Sequence, residues 1–414
     1  MTMSRNQAIV VFLAFAFAYF FSALLRAVTA TLAPVFSVEL GLRAGDLGLL
    51  AGAYFFGFAA LQLPLGRALD RYGPRRTLLV LLAVAVLGCA AFAVATHLTG
   101  LIAARVLIGA GVGACLMAPL TCYRRLYTPA AQLRANSWML MTGSLGMVAS
   151  TVPVQLLLPT LGWRGLFWAV AALLGLAMIG IAWLVPADAR PPGLDAAAAV
   201  RGAGASEAGY RSIVCHPLFL RTAPLGFFLY GGLIAVQSLW AGPWLTRVGG
   251  LTAEEAAQGL LLINLAMLFT FMAWGAVMPR LMHRGISAMK LMTWGLPWAL
   301  LLLFGNVMLA EAAGAAHWAL WCVACTFVSV SQPAVGAAFP AALAGRALSA
   351  FNLVIFGGVF CIQWGIGLLI DGLRALGWAE PEAFQIAFAA FGLCCVAAYI
   401  WFLRAGRSRA DNPH

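Results

Sequence analysis

Twelve long apolar runs dominate this chain, at about residues 8–33, 46–66, 77–96, 98–120, 137–159, 165–185, 219–246, 257–278, 288–310, 316–340, 348–372 and 383–404. A helix that spans a bilayer needs roughly 20 mostly apolar residues, and each run reaches or nears that length. The runs are continuously apolar, whereas the strands of a membrane barrel alternate apolar and polar positions. Only 9% of the residues are charged, far below the roughly 25% typical of soluble domains. A large soluble domain is therefore excluded. The first run has Arg5 ahead of it and Ala30 near a plausible cleavage point, as a signal peptide would. It is too long for one and continues past Arg26 towards Pro34, so it reads as a retained span.

The net charge of +12 raises the question of a nucleic-acid partner, but the positions of the charges answer it. With the N-terminus placed in the cytoplasm, the opposite side holds Arg43, Arg164, Arg247 and Arg374. Arg26 and Arg105 fall inside spans, and the other 19 of the 25 basic residues fall in cytoplasmic segments. This is a strong positive-inside asymmetry, and the basic charge reports topology and anionic lipid headgroups instead of nucleic acid. The nine cysteines lie mostly within apolar runs and read as reduced, small apolar residues.

The longest break, about 186–218, is rich in Ala, Gly and Pro. It divides the chain into an N-terminal six-span bundle (1–185), a cytoplasmic linker (186–218) and a C-terminal six-span bundle (219–414). The halves carry a weak repeat. Run five is preceded by Arg134-Ala135-Asn136-Ser137, and its far loop holds Gly162-Trp163. Run eleven is preceded by Arg346-Ala347-Leu348-Ser349, and its far loop holds Gly377-Trp378. Such a match favours duplication of a six-span unit.

Between runs two and three stands Gly66-Arg67-Ala68-Leu69-Asp70-Arg71-Tyr72-Gly73-Pro74-Arg75-Arg76. Gly66 would let two helices approach closely, and Gly73 permits a turn. Asp70, an acid among arginines, calls for a partner. The segment resembles the signature of the major facilitator superfamily, which is a glycine, an aspartate–arginine pair, a second glycine and a basic pair. Run four is similar to that superfamily's fourth-span pattern, with Arg105 followed by Gly109, Gly111 and Gly113. The corresponding loop between runs eight and nine keeps Gly275, Pro279, Arg280, Arg284 and Gly285 but has no acid. Run five lacks the Gly-Pro spacing of many drug antiporters, which disfavours drug efflux.

The resemblance implies twelve helices in two pseudo-symmetric six-helix bundles, the major facilitator fold. It also implies a monomer in the inner membrane of a bacterium, with both termini cytoplasmic and rocking around a central site. The matching aspartate of the superfamily meets the start of span eleven, so Asp70 is expected to meet Arg346 as part of an inner gate. Gly66, Asp70, Arg71, Gly73, Arg75, Arg76 and Arg346 form this gating set.

Ionisable groups inside spans are expensive and usually face a partner or a water-filled cavity. Arg26 and Arg105 each lie seven or so residues from the outer end of their span. At a helical rise of about 1.5 Å per residue, that is a depth of roughly 10 Å. Together they would favour a carboxylate or phosphate through bidentate hydrogen bonds. The alternative is that Arg105 braces its bundle through carbonyls while Arg26 pairs with Asp46 or Glu39. In run seven, Gln237, Trp240 and Trp244 share a helical face. That face either lines a cavity or joins the interfacial aromatic belt, and Pro243 beside it is a candidate hinge. Gln332 and Asn352 are further polar candidates for substrate contact, and Asn264 and Gln363 are intramembrane polar groups of the same kind.

No acid lies mid-membrane in the first half. The proton therefore arrives with the substrate, or a counter-anion is exchanged, or transport is facilitated, and the outer residues Asp46 and Asp371 remain as coupling candidates. Cys322 with Cys325 and the methionine pairs Met278/Met282 and Met289/Met292 offer a copper reading. Soft ligands suit Cu(I), yet such residues are ordinary helix fillers. No nucleotide loop, metal-ligand spacing or nucleophile–base pair occurs, so neither an enzyme nor a cofactor is expected. The function expected is transport of a small organic anion. Efflux of hydrophobic or drug-like compounds and a non-transporting sensor or assembly factor are the alternatives.

Overall fold

The computed structural model describes residues 5–186 and 206–407, and most of the expected linker lies outside the described residues. Every described element is helical. In order these are α1 (Arg5–Glu39), α2 (Ala44–Ala60), α3 (Gln62–Tyr72), α4 (Pro74–Val94), α5 (Leu98–Val112), α6 (Met117–Leu126), α7 (Pro129–Ala149) and α8 (Val152–Leu184). There follow α9 (Ser206–Val214), α10 (Pro217–Val248), α11 (Ala253–His283), α12 (Ala288–Leu309), α13 (Ala315–Ala337), α14 (Ala341–Ala375) and α15 (Glu380–Arg407).

Local chemistry sets many of these boundaries. Pro74, Pro129 and Pro217 occupy first-turn positions, where the missing N–H costs nothing. The Thr128 and Ser287 hydroxyls accept from the amides of Ala131 and Lys290, capping α7 and α12. Gly73, at φ 83°, separates α3 from α4 through a backbone region that favours glycine.

Among the described residues, ten helices are long and apolar enough to cross a membrane, or eleven when α2 and α3, bent by 41°, count as one span. Twelve spans accommodate all of them. Run four is α5 continued by α6. Run five begins in α7 and ends in the first part of α8, which leaves helical geometry at Gly162 (φ 61°, ψ 171°). That break is the Gly-Trp boundary expected between runs five and six. The protein is an all-α membrane protein.

The chain forms two compact units. One holds residues up to Val28 and Ala53–Ala208, and the other holds Thr29–Gly52 and Gly209–His414. In the first unit, glycines set the helix spacing. A β-carbon on Gly109 of α5 would lie 1.9 Å from the Tyr54 carbonyl oxygen of α2, and one on Gly57 would lie 2.1 Å from the Val106 oxygen. A β-carbon on Gly111 would lie 2.3 Å from the Ala85 nitrogen of α4. The run-four glycines therefore thin two faces of α5 at once. Gly66 is different, because a β-carbon there would meet nothing within 4 Å. Its expected role in close helix approach is met by Gly57 and Gly109 instead.

The second unit has an aromatic core. Trp244 packs edge-on to Trp318 (5.1 Å) and Phe388 (4.9 Å), and Trp240 edge-on to Phe384 (5.9 Å), a preferred geometry for aromatic pairs. Trp244 is fully buried, so it belongs to this core and not to an interfacial belt. α10 contains three wide turns with i→i+5 spacing, at Gly226–Tyr230, Val236–Trp240 and Trp244–Val248. The last two flank Pro243, where wide turns absorb the lost hydrogen bond.

The repeat is visible in the turns. Among the described residues, the six glycines with positive φ fall into pairs at corresponding places, Gly41 with Gly250, Gly73 with Gly285, and Gly162 with Gly377.

Candidate functional site

In the first unit, Arg26 of α1 is half-buried in an otherwise apolar stretch. Tyr19 and Tyr54 lie beside it, within electrostatic reach of the guanidinium. Its guanidinium carbon lies 5.7 Å from the centre of the Phe58 ring, within cation–π range. The Tyr54 hydroxyl donates to the Ser22 carbonyl at 3.2 Å, which fixes that ring beside α1.

Arg105 sits behind this group and is 1% exposed. Its Nη1 donates to the Leu25 carbonyl oxygen at 3.0 Å. Its guanidinium carbon lies 5.4 Å from the Tyr54 ring centre and 6.0 Å from that of Phe92. The structure thus ties Arg105 to the turn of α1 that carries Arg26, with the Tyr54 ring beside it. A half-buried guanidinium flanked by hydroxyls can bind a carboxylate, sulfonate or phosphate. Tyr19, Tyr54 and Phe58 were not singled out from sequence. Tyr19 lies seven residues before Arg26 and on the same helical face, a signal the sequence carries. Tyr54 reaches the site through the packing of α2.

The second-half candidates are engaged with neighbours. The Gln237 side-chain amide donates to the Asn264 oxygen at 2.9 Å, and Asn264 donates to the Leu260 carbonyl at 3.0 Å. The Trp240 indole donates to the Gln363 carbonyl at 3.2 Å, while the Gln363 amide reaches the Ser238 hydroxyl at 3.0 Å. These bonds join α10 to α11 and α14. Gln332 and Asn352 meet each other, Nε2 donating to Oδ1 at 2.5 Å. Both are half-buried, and each keeps a second polar atom for another contact.

The basic loop is braced from within its own unit. Arg75 donates to the Ala182 carbonyl near the end of α8, a position that favours a cation. Arg71 stacks over Tyr72 at 5.3 Å, and the Thr77 hydroxyl bonds the Ala68 carbonyl at 3.1 Å. Arg76 is exposed and Arg346 half-buried. The Asp70 side chain lies outside the described residues, and so does the test of its expected contact with Arg346.

A cavity of about 400 Å³ opens in the second unit. Arg43, Arg247, Arg374, Asp371 and Glu380 line it, with Trp240, Pro243 and Phe384 supplying apolar walls. Arg247 faces Glu380 at 3.8 Å. Asp371 is directed to the N-terminus of α2, where its two oxygens accept from the amides of Ala44 (3.1 Å) and Gly45 (2.8 Å). Among the described residues, no group of three or more His, Cys, Asp or Glu side chains gathers as a metal site would require.

The model of the Major Facilitator Superfamily matches residues 15–362, and the chain belongs to that superfamily. Its members are transporters and not enzymes. The chain is 34% identical over 161 residues, 38% of its length, to a chloramphenicol resistance protein of Streptomyces lividans. It is 25% identical over 259 residues, 58% of its length, to the Probable sulfoacetate transporter SauU of Cupriavidus necator. The matched regions span 40% and 57% of those two proteins. Among solved structures, a bacterial homologue of the human lysosomal transporter Spinster superposes with a TM-score of 0.75 over 98% of both chains, at 18% identity. That likeness shows the fold.

Proposed function

We propose that this major facilitator carries a small organic anion across the cytoplasmic membrane by alternating access, as a monomer with both termini inside. The observation that carries the reading is Arg26. It is a cation half-buried in an apolar span beside two tyrosines and the Phe58 ring, and backed by a second, fully buried arginine. A membrane protein bears the cost of such a group where it meets charge or water. The resemblance to a sulfoacetate transporter supports an anionic substrate, because sulfoacetate carries both a sulfonate and a carboxylate. Arg26 is the primary anion contact, Tyr19 and Tyr54 orient it, and Arg105 positions α1. The Gln332–Asn352 pair offers polar groups in the other half, whereas Gln237 and Trp240 act first as ties between helices. The proton accompanies the substrate, or a second anion is exchanged for it. The Asp70 loop and Arg346 form the gate on the cytoplasmic side.

A second reading rests on the identity to a chloramphenicol resistance protein, which supports an apolar neutral compound as substrate. Counterflow in proteoliposomes separates the readings. Vesicles loaded with sulfoacetate, other short sulfonates and dicarboxylates are compared with vesicles loaded with neutral analogues or chloramphenicol. Accelerated uptake of labelled anion, lost in Arg26→Gln, supports anion transport. Counterflow by chloramphenicol alone, unchanged in Arg26→Gln, supports the second reading. Binding without counterflow would make the protein a sensor.

A further inference from the structure

The Asp371 carboxylate caps a helix 326 residues away from it in the chain. The first amides of any helix have no partner within it, and a negative charge there is favoured. Asp371, near the end of α14, supplies both oxygens to the first two amides of α2, at 3.1 and 2.8 Å. The contact continues down both helices through glycines. A β-carbon on Gly45 would lie 2.7 Å from Asp371 Oδ2, one on Gly48 2.2 Å from the Gln363 carbonyl oxygen, and one on Gly52 2.9 Å from the Phe360 ring. On the facing helix, a β-carbon on Gly367 would lie 2.3 Å from the Ala44 carbonyl oxygen. Gly45, Gly48 and Gly52 follow i, i+3, i+7 spacing and form one stripe along α2.

This stripe ends where the compact units divide, since α2 up to Gly52 groups with α14 and α2 from Ala53 groups with residues 53–208. Within the second unit, the first two turns of α2 are zipped to α14. The zip is closed at its tip by a charge–amide contact beside the 400 Å³ cavity. Such a contact is strong while dry, and water entering from the cavity supplies replacement hydrogen bonds on release.

We propose that Asp371 is the latch that holds this end of α2 on α14, and that the face of the protein opposite the Asp70 loop opens by its release. The proposal rests on the alternating-access reading. Asp371 acts by positioning α2 and does not touch the substrate.

The test uses the full-length protein in liposomes and a reporter cysteine in place of the buried Ala51, with the exposed Cys215, Cys361 and Cys394 changed to serine. A membrane-impermeant maleimide reads how often the zip opens. Asp371→Ala should raise the labelling rate about tenfold. Asp371→Asn, which keeps one acceptor and loses the charge, should raise it about threefold. Gly48→Leu forces a side chain into the Gln363 backbone and serves as the positive control. Raised labelling in Gly48→Leu with unchanged rates in both Asp371 variants overturns the latch and leaves alternating access standing. Labelling absent from every variant, the control included, overturns both.

Discussion

Arg105 donates a hydrogen bond to the carbonyl of Leu25 at 3.0 Å, one residue before Arg26. The bond runs to the backbone, so it sets where the Arg26 turn sits without competing for whatever Arg26 holds. The more buried arginine serves the more accessible one.

This relationship predicts coupling. Arg105→Gln should weaken anion binding roughly tenfold, a ΔΔG of about 1.4 kcal/mol, because the α1 turn loses its anchor. In an Arg26→Gln background the same change should have almost no effect. A double-mutant cycle on anion affinity measures it. Fully additive losses would mean that Arg105 acts independently of Arg26.

Tyr54 bonds the Ser22 carbonyl, packs under Arg105 and lies within electrostatic reach of Arg26. Tyr54→Phe keeps the ring under Arg105 and removes only the hydroxyl. Anion affinity should fall by about three- to tenfold, in line with one lost hydrogen bond of roughly 1 kcal/mol. Expression and thermal stability should stay near wild type. Full affinity in Tyr54→Phe would show that the hydroxyl does not orient Arg26.

The glycines divide by what surrounds them. Gly109→Val would drive a side chain into the α2 backbone 1.9 Å away. It should cost about 3 kcal/mol or prevent folding. Gly66→Ala enters open space and should lie within about 0.5 kcal/mol of wild type. Thermal unfolding in detergent compares them, and equal effects would contradict the packing described.

The Gln237–Asn264 bond ties α10 to α11. Replacing both residues by leucine should show a coupling of roughly 0.6 kcal/mol, typical of hydrogen bonds between membrane helices. A stability cycle on the purified protein checks it. A large loss of transport with little loss of stability would return Gln237 to the substrate site.

The architecture was legible because the bilayer imposes length and apolarity on every span, and the Gly162-Trp163 and Gly377-Trp378 pairs marked real turns. Contacts made through glycine were harder to place. The sequence marks Gly66 and Gly109 alike as glycines of the superfamily's patterns, yet of the two Gly109 alone faces another backbone. The Gln237, Trp240 and Trp244 spacing assumes 3.6 residues per turn. The wide turns of α10 break that period, and both indoles enter the aromatic core. Tyr54 and Asp371 reach their partners entirely by tertiary packing, so no local pattern announces them. Arg26 and Arg105 stood out because a charge in an apolar span demands an explanation.

The most direct measurement is thermal stability of the detergent-purified protein against matched organic anions, neutral analogues and cationic analogues, in wild type and Arg26→Gln. A ligand that binds only the folded state raises its stability by mass action. The account predicts a shift of several degrees with a short sulfonate or carboxylate that vanishes in Arg26→Gln. Shifts given by neutral or cationic compounds and preserved in Arg26→Gln would contradict it and leave Arg26 a structural residue.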